Sequence, residues 1–115
     1  MSAPALPKIS LTQWIAGHTK TVTLTLSGSG SIAGWTFTVV LYDVNGDRAT
    51  ITLTNGAGTE IVDAAARQWR FTIVGALTSG WATTTLGLQM AYTVGGVTYS
   101  LGTGDATVLA NKAAA

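Results

Sequence analysis

The side chains able to do chemistry are few. General acid–base or nucleophilic catalysis needs a titratable group that a fold can tune, and the 115 residues contain one histidine and no cysteine. His18 stands between Gly17 and Thr19 with no serine or acid at an informative spacing, and no Gly-x-Ser-x-Gly elbow occurs. An exposed turn is the expected place for His18, and the chain is expected not to be an enzyme. Without cysteine there is no disulfide framework, and a zinc site would need carboxylates to complete it, so no metal or other cofactor is expected. The string closest to a metal loop is Asp43-Val44-Asn45-Gly46-Asp47, whose alternating oxygens resemble the opening of a calcium loop. Arg48 occupies the sixth position, where the sharp turn wants glycine, and Thr54 the twelfth, where a bidentate glutamate belongs. Solvated aspartates flanking an Asn-Gly turn are the expectation instead. Gly102-Thr103-Gly104-Asp105 lacks the Lys-Ser/Thr of a phosphate loop and opens no helix, so it gives nucleotide binding no support.

Aromatic residues offer a second kind of chemistry. Four tryptophans and three tyrosines in so short a chain suit stacking on sugar rings or anchoring of a protein contact, where Trp, Tyr and Arg concentrate. Trp35 and Trp69 open alternating runs in register with Phe37, Val39 and with Phe71, Ile73, and are expected in or beside the core. Trp14 and Trp81 fall near loops, as do Tyr42 and Tyr99 if their faces are open. The candidate contact residues are therefore Trp14 and Trp81, with Arg67 and Arg70 flanking Trp69. A neighbouring protein is favoured over a glycan.

The elements that must carry these groups have a period of two. Thr21-Val22-Thr23-Leu24-Thr25-Leu26 alternates without a break, which sends one polar row outward and one apolar row inward. Trp35 to Val39 does the same and runs into Val40-Leu41-Tyr42, apolar on both faces, the mark of a central strand. Asn45-Gly46 predicts a tight hairpin to a strand over Ala49 to Thr54, and Asn55-Gly56 a second turn. Trp69 to Val74 is a further strand, and Thr85 to Val94 and Val97 to Leu101 flank a Gly95-Gly96 hairpin. Short strands are expected at Ile9 to Leu11, Thr59 to Val62 and Ala106 to Leu109. Asp63 to Gln68 could form one helical turn capped by Asp63, crossing between sheets. Single-faced apolar rows require two layers packed face to face. The expected fold is all-β, an immunoglobulin-like antiparallel β-sandwich of seven to nine strands, with a closed small barrel as the alternative. One domain over 8–110 is expected, with an N-terminal arm at 1–7 and a C-terminal tail at 111–115.

Charged residues make up 10% of the chain, against roughly 25% in ordinary soluble domains. Threonine interrupts the apolar runs before they reach the roughly 18 residues of a spanning helix, so no membrane partner is expected. Six basic against five acidic residues give a net charge of +1, no footprint for nucleic acid. The N-terminus has neither the basic nor the apolar region of a signal peptide, so the chain is expected to stay in the cytosol or to leave it within something larger. A surface short of charge suits a protein whose faces meet other subunits, and a homo-oligomer is expected.

The strings Ile9-Ser10-Leu11-Thr12, Gly17-His18-Thr19-Lys20 with the Thr21 to Leu26 strand, and Ile32-Ala33-Gly34-Trp35-Thr36-Phe37-Thr38-Val39 resemble small immunoglobulin-like domains of tailed-phage virion proteins. The comparison is with the amino-terminal domain of phage baseplate upper proteins. It covers about the first half of the chain; the second half agrees in a Gly-Gly hairpin before a final strand. His18 stands where that family usually has an acid, and the segment around Thr78 to Trp81 departs from its pattern. The resemblance implies a non-enzymatic bacteriophage structural protein, located in the virion and contacting other virion proteins. Capsid decoration, head fibre, tail and baseplate are all open as its place, and a carbohydrate-binding module for cell-surface glycans is the alternative.

Overall fold

The computed structural model describes residues 8–46, 48 and 50–112, the first three as backbone only. The expected arm at 1–7, Asp47, Ala49 and the last three residues of the expected tail lie outside the described residues. Alternating sequence becomes alternating burial. In β3 (Lys20–Thr25) and β4 (Thr36–Asp43) the threonines stand outward, and Val22, Leu24, Phe37, Val39 and Leu41 turn inward. β5 (Ile51–Asn55), β6 (Gly58–Asp63), β7 (Gln68–Ile73), β8 (Thr84–Val94) and β9 (Val97–Leu109) complete the main set, with β1 (Lys8–Ser10) and β2 (Trp14–Ile15) as short edge pieces. The protein is all-β. Among the described residues the only helical element is a 3-10 turn at Gly75–Leu77.

Hydrogen bonding links the strands in the order β1-β9-β8-β4-β5-β6-β7-β3, with β2 beside β9. β4 is central, antiparallel to β8 over eight residue pairs and to β5 over three. The link from β5 to β6 is narrow, two parallel pairs. At that link the path folds over: Phe37 of β4 stacks on Trp69 of β7 with centroids 4.3 Å apart, so strands three places apart face one another across one core. Trp69, Phe37, Phe71, Ile32 and Leu41 are its largest fully buried side chains. Thr59, also buried, donates its hydroxyl to the Phe37 carbonyl at 2.9 Å and ties β6 to β4.

Several local expectations are corrected. Asp63 to Gln68 is no helix and no crossover but the turn of the β6–β7 hairpin, where Asp63 Oδ1 accepts the Ala66 N–H at 3.1 Å and Arg67 takes φ 59°. A carboxylate bonding backbone three residues on serves a turn as well as a helix. The Asn45-Gly46 connection is longer than a two-residue hairpin, since β4 ends at Asp43 and β5 begins at Ile51. Asp43 is not solvated: it is 7% exposed, accepts the Asn45 N–H at 2.9 Å and sits 3.5 Å from the Arg48 guanidinium. The two last strands expected are one, because β9 runs unbroken past Gly102 and Gly104, absorbing a register shift opposite Met90 and Ala91.

Candidate functional site

The candidate contact residues separate into two regions. Trp14 is 6% exposed and belongs to the core, because Trp14-Ile15 pairs in parallel with Val108-Leu109 instead of lying in a loop. Its ring offers no open face. Trp81 is half-buried, packed against the core, with the Arg48 guanidinium 5.4 Å from its ring centroid. Arg48 is held in turn by Asp43 and by the Ala82 carbonyl at 3.4 Å. Arg70 is exposed on β7 and pairs with Glu60, its register partner on β6. His18 lies in an exposed bend, its N–H given to the Ile15 carbonyl.

Arg67 is a clamp. Its guanidinium donates to the carbonyls of Ser27, Ser29 and Gly30 at 3.2, 2.9 and 2.8 Å, fastening the loop between β3 and β4 to the β6–β7 turn. The same group lies 5.4 Å from the Trp35 ring centroid. Trp35 stacks on Tyr92 at 4.6 Å, and Tyr92 on Tyr99 at 5.1 Å. Arg67, Trp35, Tyr92 and Tyr99 thus form one continuous stack that ends in a ring 46% exposed. Sequence reasoning missed this stack, although one signal was present: a two-residue Gly95-Gly96 loop sets Val94 opposite Val97 and hence Tyr92 opposite Tyr99.

The stack borders a cleft of about 450 Å³ between β3 and the first half of β9, lined among others by Leu24, Leu26, Met90 and Leu101. Two of its lining residues, Arg67 and Trp69, carry buried N–H groups, Nε and Nε1, with no hydrogen-bond partner among the described residues. Both strands flanking the cleft have an open edge: among the described residues β3 pairs only with β7, and Val97–Gly102 of β9 only with β8.

The second feature is a sheet face. Residues of β4, β5, β8 and β9 that point away from the core include Thr36, Thr38, Thr52, Gln89, Thr93 and Thr103. Asp105 is the one charged side chain among the described core-averted residues of these four strands. Tyr42 lies across Gly87 on the neighbouring strand, so close that a Cβ at Gly87 would fall 2.2 Å from its ring, and it remains 36% exposed. Hydroxyl pairs cross the face at Thr93–Thr98 (2.8 Å) and Thr85–Thr107 (3.4 Å). Among the described residues no three His, Asp or Glu side chains gather as a metal site. No family model matches the chain, and no curated protein matches it.

Proposed function

We propose that the chain is a non-enzymatic structural protein of a bacteriophage virion, an immunoglobulin-like sandwich assembling by protein–protein contacts. Its place is a capsid decoration or head fibre, or a tail or baseplate component. In this reading β1, β9, β8, β4 and β5 make one layer and β6, β7 and β3 the other. The observation that carries it is the nearly charge-free outer face of β4, β5, β8 and β9. A solitary domain needs scattered charge to stay dispersed, whereas the centre of a protein interface is depleted in charge and enriched in tyrosine. Tyr42, propped open over Gly87, is the anchor of that face. The virion assignment rests on the resemblance of Ile9 to Val39 to phage domains. Cosedimentation of the purified chain with phage particles, and its recovery from them in fixed stoichiometry by mass spectrometry, is the expected result. A chain that neither binds particles nor occurs in them would overturn the proposal.

The carbohydrate alternative draws on the exposed Tyr99 ring at the head of the aromatic stack. It requires glycan-array binding that is lost in Tyr99→Ala and kept in Arg70→Ala, whose side chain is exposed on β7.

A further inference from the structure

We infer that the free edge of β3 receives an extended segment of another protein, whose side chains on one face fill the cleft and whose carboxylate meets Lys20. This seat is apart from the proposed assembly face, so either can fail alone. One layer is a strand short of the other. Trp69 of β7 stacks on Phe37 of β4. β3 lies beside β7 and β8 beside β4, which sets β3 over β8 and leaves no described strand over residues 97–102 of β9. Tyr99 and Val97 share the core side of the β8–β9 ribbon with Tyr92 and Met90, yet they are 46% and 50% exposed. Core-facing apolar residues left in water mark an interaction site.

The backbone of β3 is ready for such a strand. Leu26 gives its N–H to the Arg67 carbonyl at 2.9 Å, and the unbroken antiparallel register turns Leu24 and Val22 toward β7 in the same way. Thr21, Thr23 and Thr25 therefore direct their N–H and C=O groups to the open edge. Edge strands are usually blunted by charge, proline or a bulge; from Thr21 to Leu26 this one has none. A strand paired there, about 4.8 Å away, points alternate side chains at Leu101 and into the cleft beside Leu24, Met90 and Tyr92. Lys20, at the start of β3, has no acidic partner among the described residues. The segment is therefore apolar at alternate positions and acidic where it meets Lys20. A second copy offering its own β3 would drive its facing layer into the space that β9 and β1 hold. A single added strand, giving main-chain bonds for affinity and alternate side chains for specificity, is the occupant that fits.

The probe is the peptide acetyl-Val-Thr-Leu-Thr-Val-Thr-Glu-amide, which in antiparallel pairing with Leu26 through Lys20 sets its glutamate opposite Lys20. Added to the full-length protein, it is expected to bind saturably with a change in tryptophan emission, since Trp35 and Trp69 line the cleft. By NMR, amide exchange at Thr21, Thr23 and Thr25 should slow at least about tenfold, with Val22 and Leu24 little changed. Lys20→Glu, checked for folding by circular dichroism, should weaken binding about fivefold at low salt, and a probe ending in lysine should recover it. No binding, binding without protection of the three threonine amides, or binding indifferent to Lys20→Glu overturns the proposal. Equal binding of a probe N-methylated at its three threonines does so too. Protection of the same amides that rises with protein concentration in the absence of probe also overturns it, in favour of a second copy as the occupant.

Discussion

Replacing Arg67 tests whether this arginine is a structural clamp or a contact held out to a partner. Its guanidinium makes three hydrogen bonds to carbonyls of the β3–β4 loop and stacks on Trp35. One charged donor serving neutral carbonyls at a half-exposed position contributes a discounted, non-additive sum, about 2–3 kcal/mol with the cation–π contact included. The backbone supplies an internal control. Arg67 has φ 59°, the left-handed region that costs a non-glycine residue about 1 kcal/mol. Arg67→Ala removes the clamp and keeps the strain; Arg67→Gly removes both. The expected losses are about 2–3 kcal/mol for alanine and about 1 kcal/mol less for glycine. Urea unfolding followed by tryptophan emission measures both, and a thermal scan should show a fall of about 4 °C per kcal/mol for a chain of this size. A loss under about 0.5 kcal/mol for Arg67→Ala, or equal losses for the two variants, would refute the clamp. Unchanged stability with weakened assembly would return Arg67 to the interface where its sequence context first placed it.

Three other substitutions separate tight packing from surface decoration. At Gly75 an added Cβ would fall 2.1 Å from the Gly17 carbonyl oxygen. Backbone must therefore move, and Gly75→Ala should cost about 3 kcal/mol in urea unfolding. Thr59→Val keeps the shape but removes the hydroxyl that reaches the Phe37 carbonyl, and chemical denaturation should show a loss of about 1–2 kcal/mol. Arg70→Ala breaks an ion pair whose side chains are 45% and 54% exposed; the change should stay below about 1 kcal/mol and shrink further in molar salt.

Much of the fold was legible because its signals are local. Period-two alternation of threonine with apolar residues marks β3, β4 and β5 and says which face of each is buried, and a Gly-Gly loop sets the β8–β9 register. What escaped depends on long-range pairing. Trp14 is buried by a two-residue parallel contact with Val108 and Leu109, and nothing within a window around Trp14 announces a partner so distant in the chain. Asp43 was expected in solvent because Asn-Gly turns are usually wet; Arg48, five residues on, folds back and shields it. The same holds for the candidate sites. Arg67 near Trp69 was visible, but its true ring partner, Trp35, and its carbonyl partners, Ser27, Ser29 and Gly30, come from segments distant in the chain. Tyr42 could be placed on a face from alternation alone, whereas its exposure depends on Gly87 being the residue beside it.

Assembly through the nearly charge-free face of β4, β5, β8 and β9 is the central claim, and mass in solution tests it most directly. Gln89 is exposed in the middle of that face, in register with Val40 and Thr103, so Gln89→Lys adds a charge there without disturbing the core. Light scattering across a hundredfold concentration range should give the native chain a mass several times its 11.8 kDa and return Gln89→Lys toward the single-chain value. A native chain that stays at 11.8 kDa throughout, or an oligomer that accepts the lysine unchanged, would contradict the account.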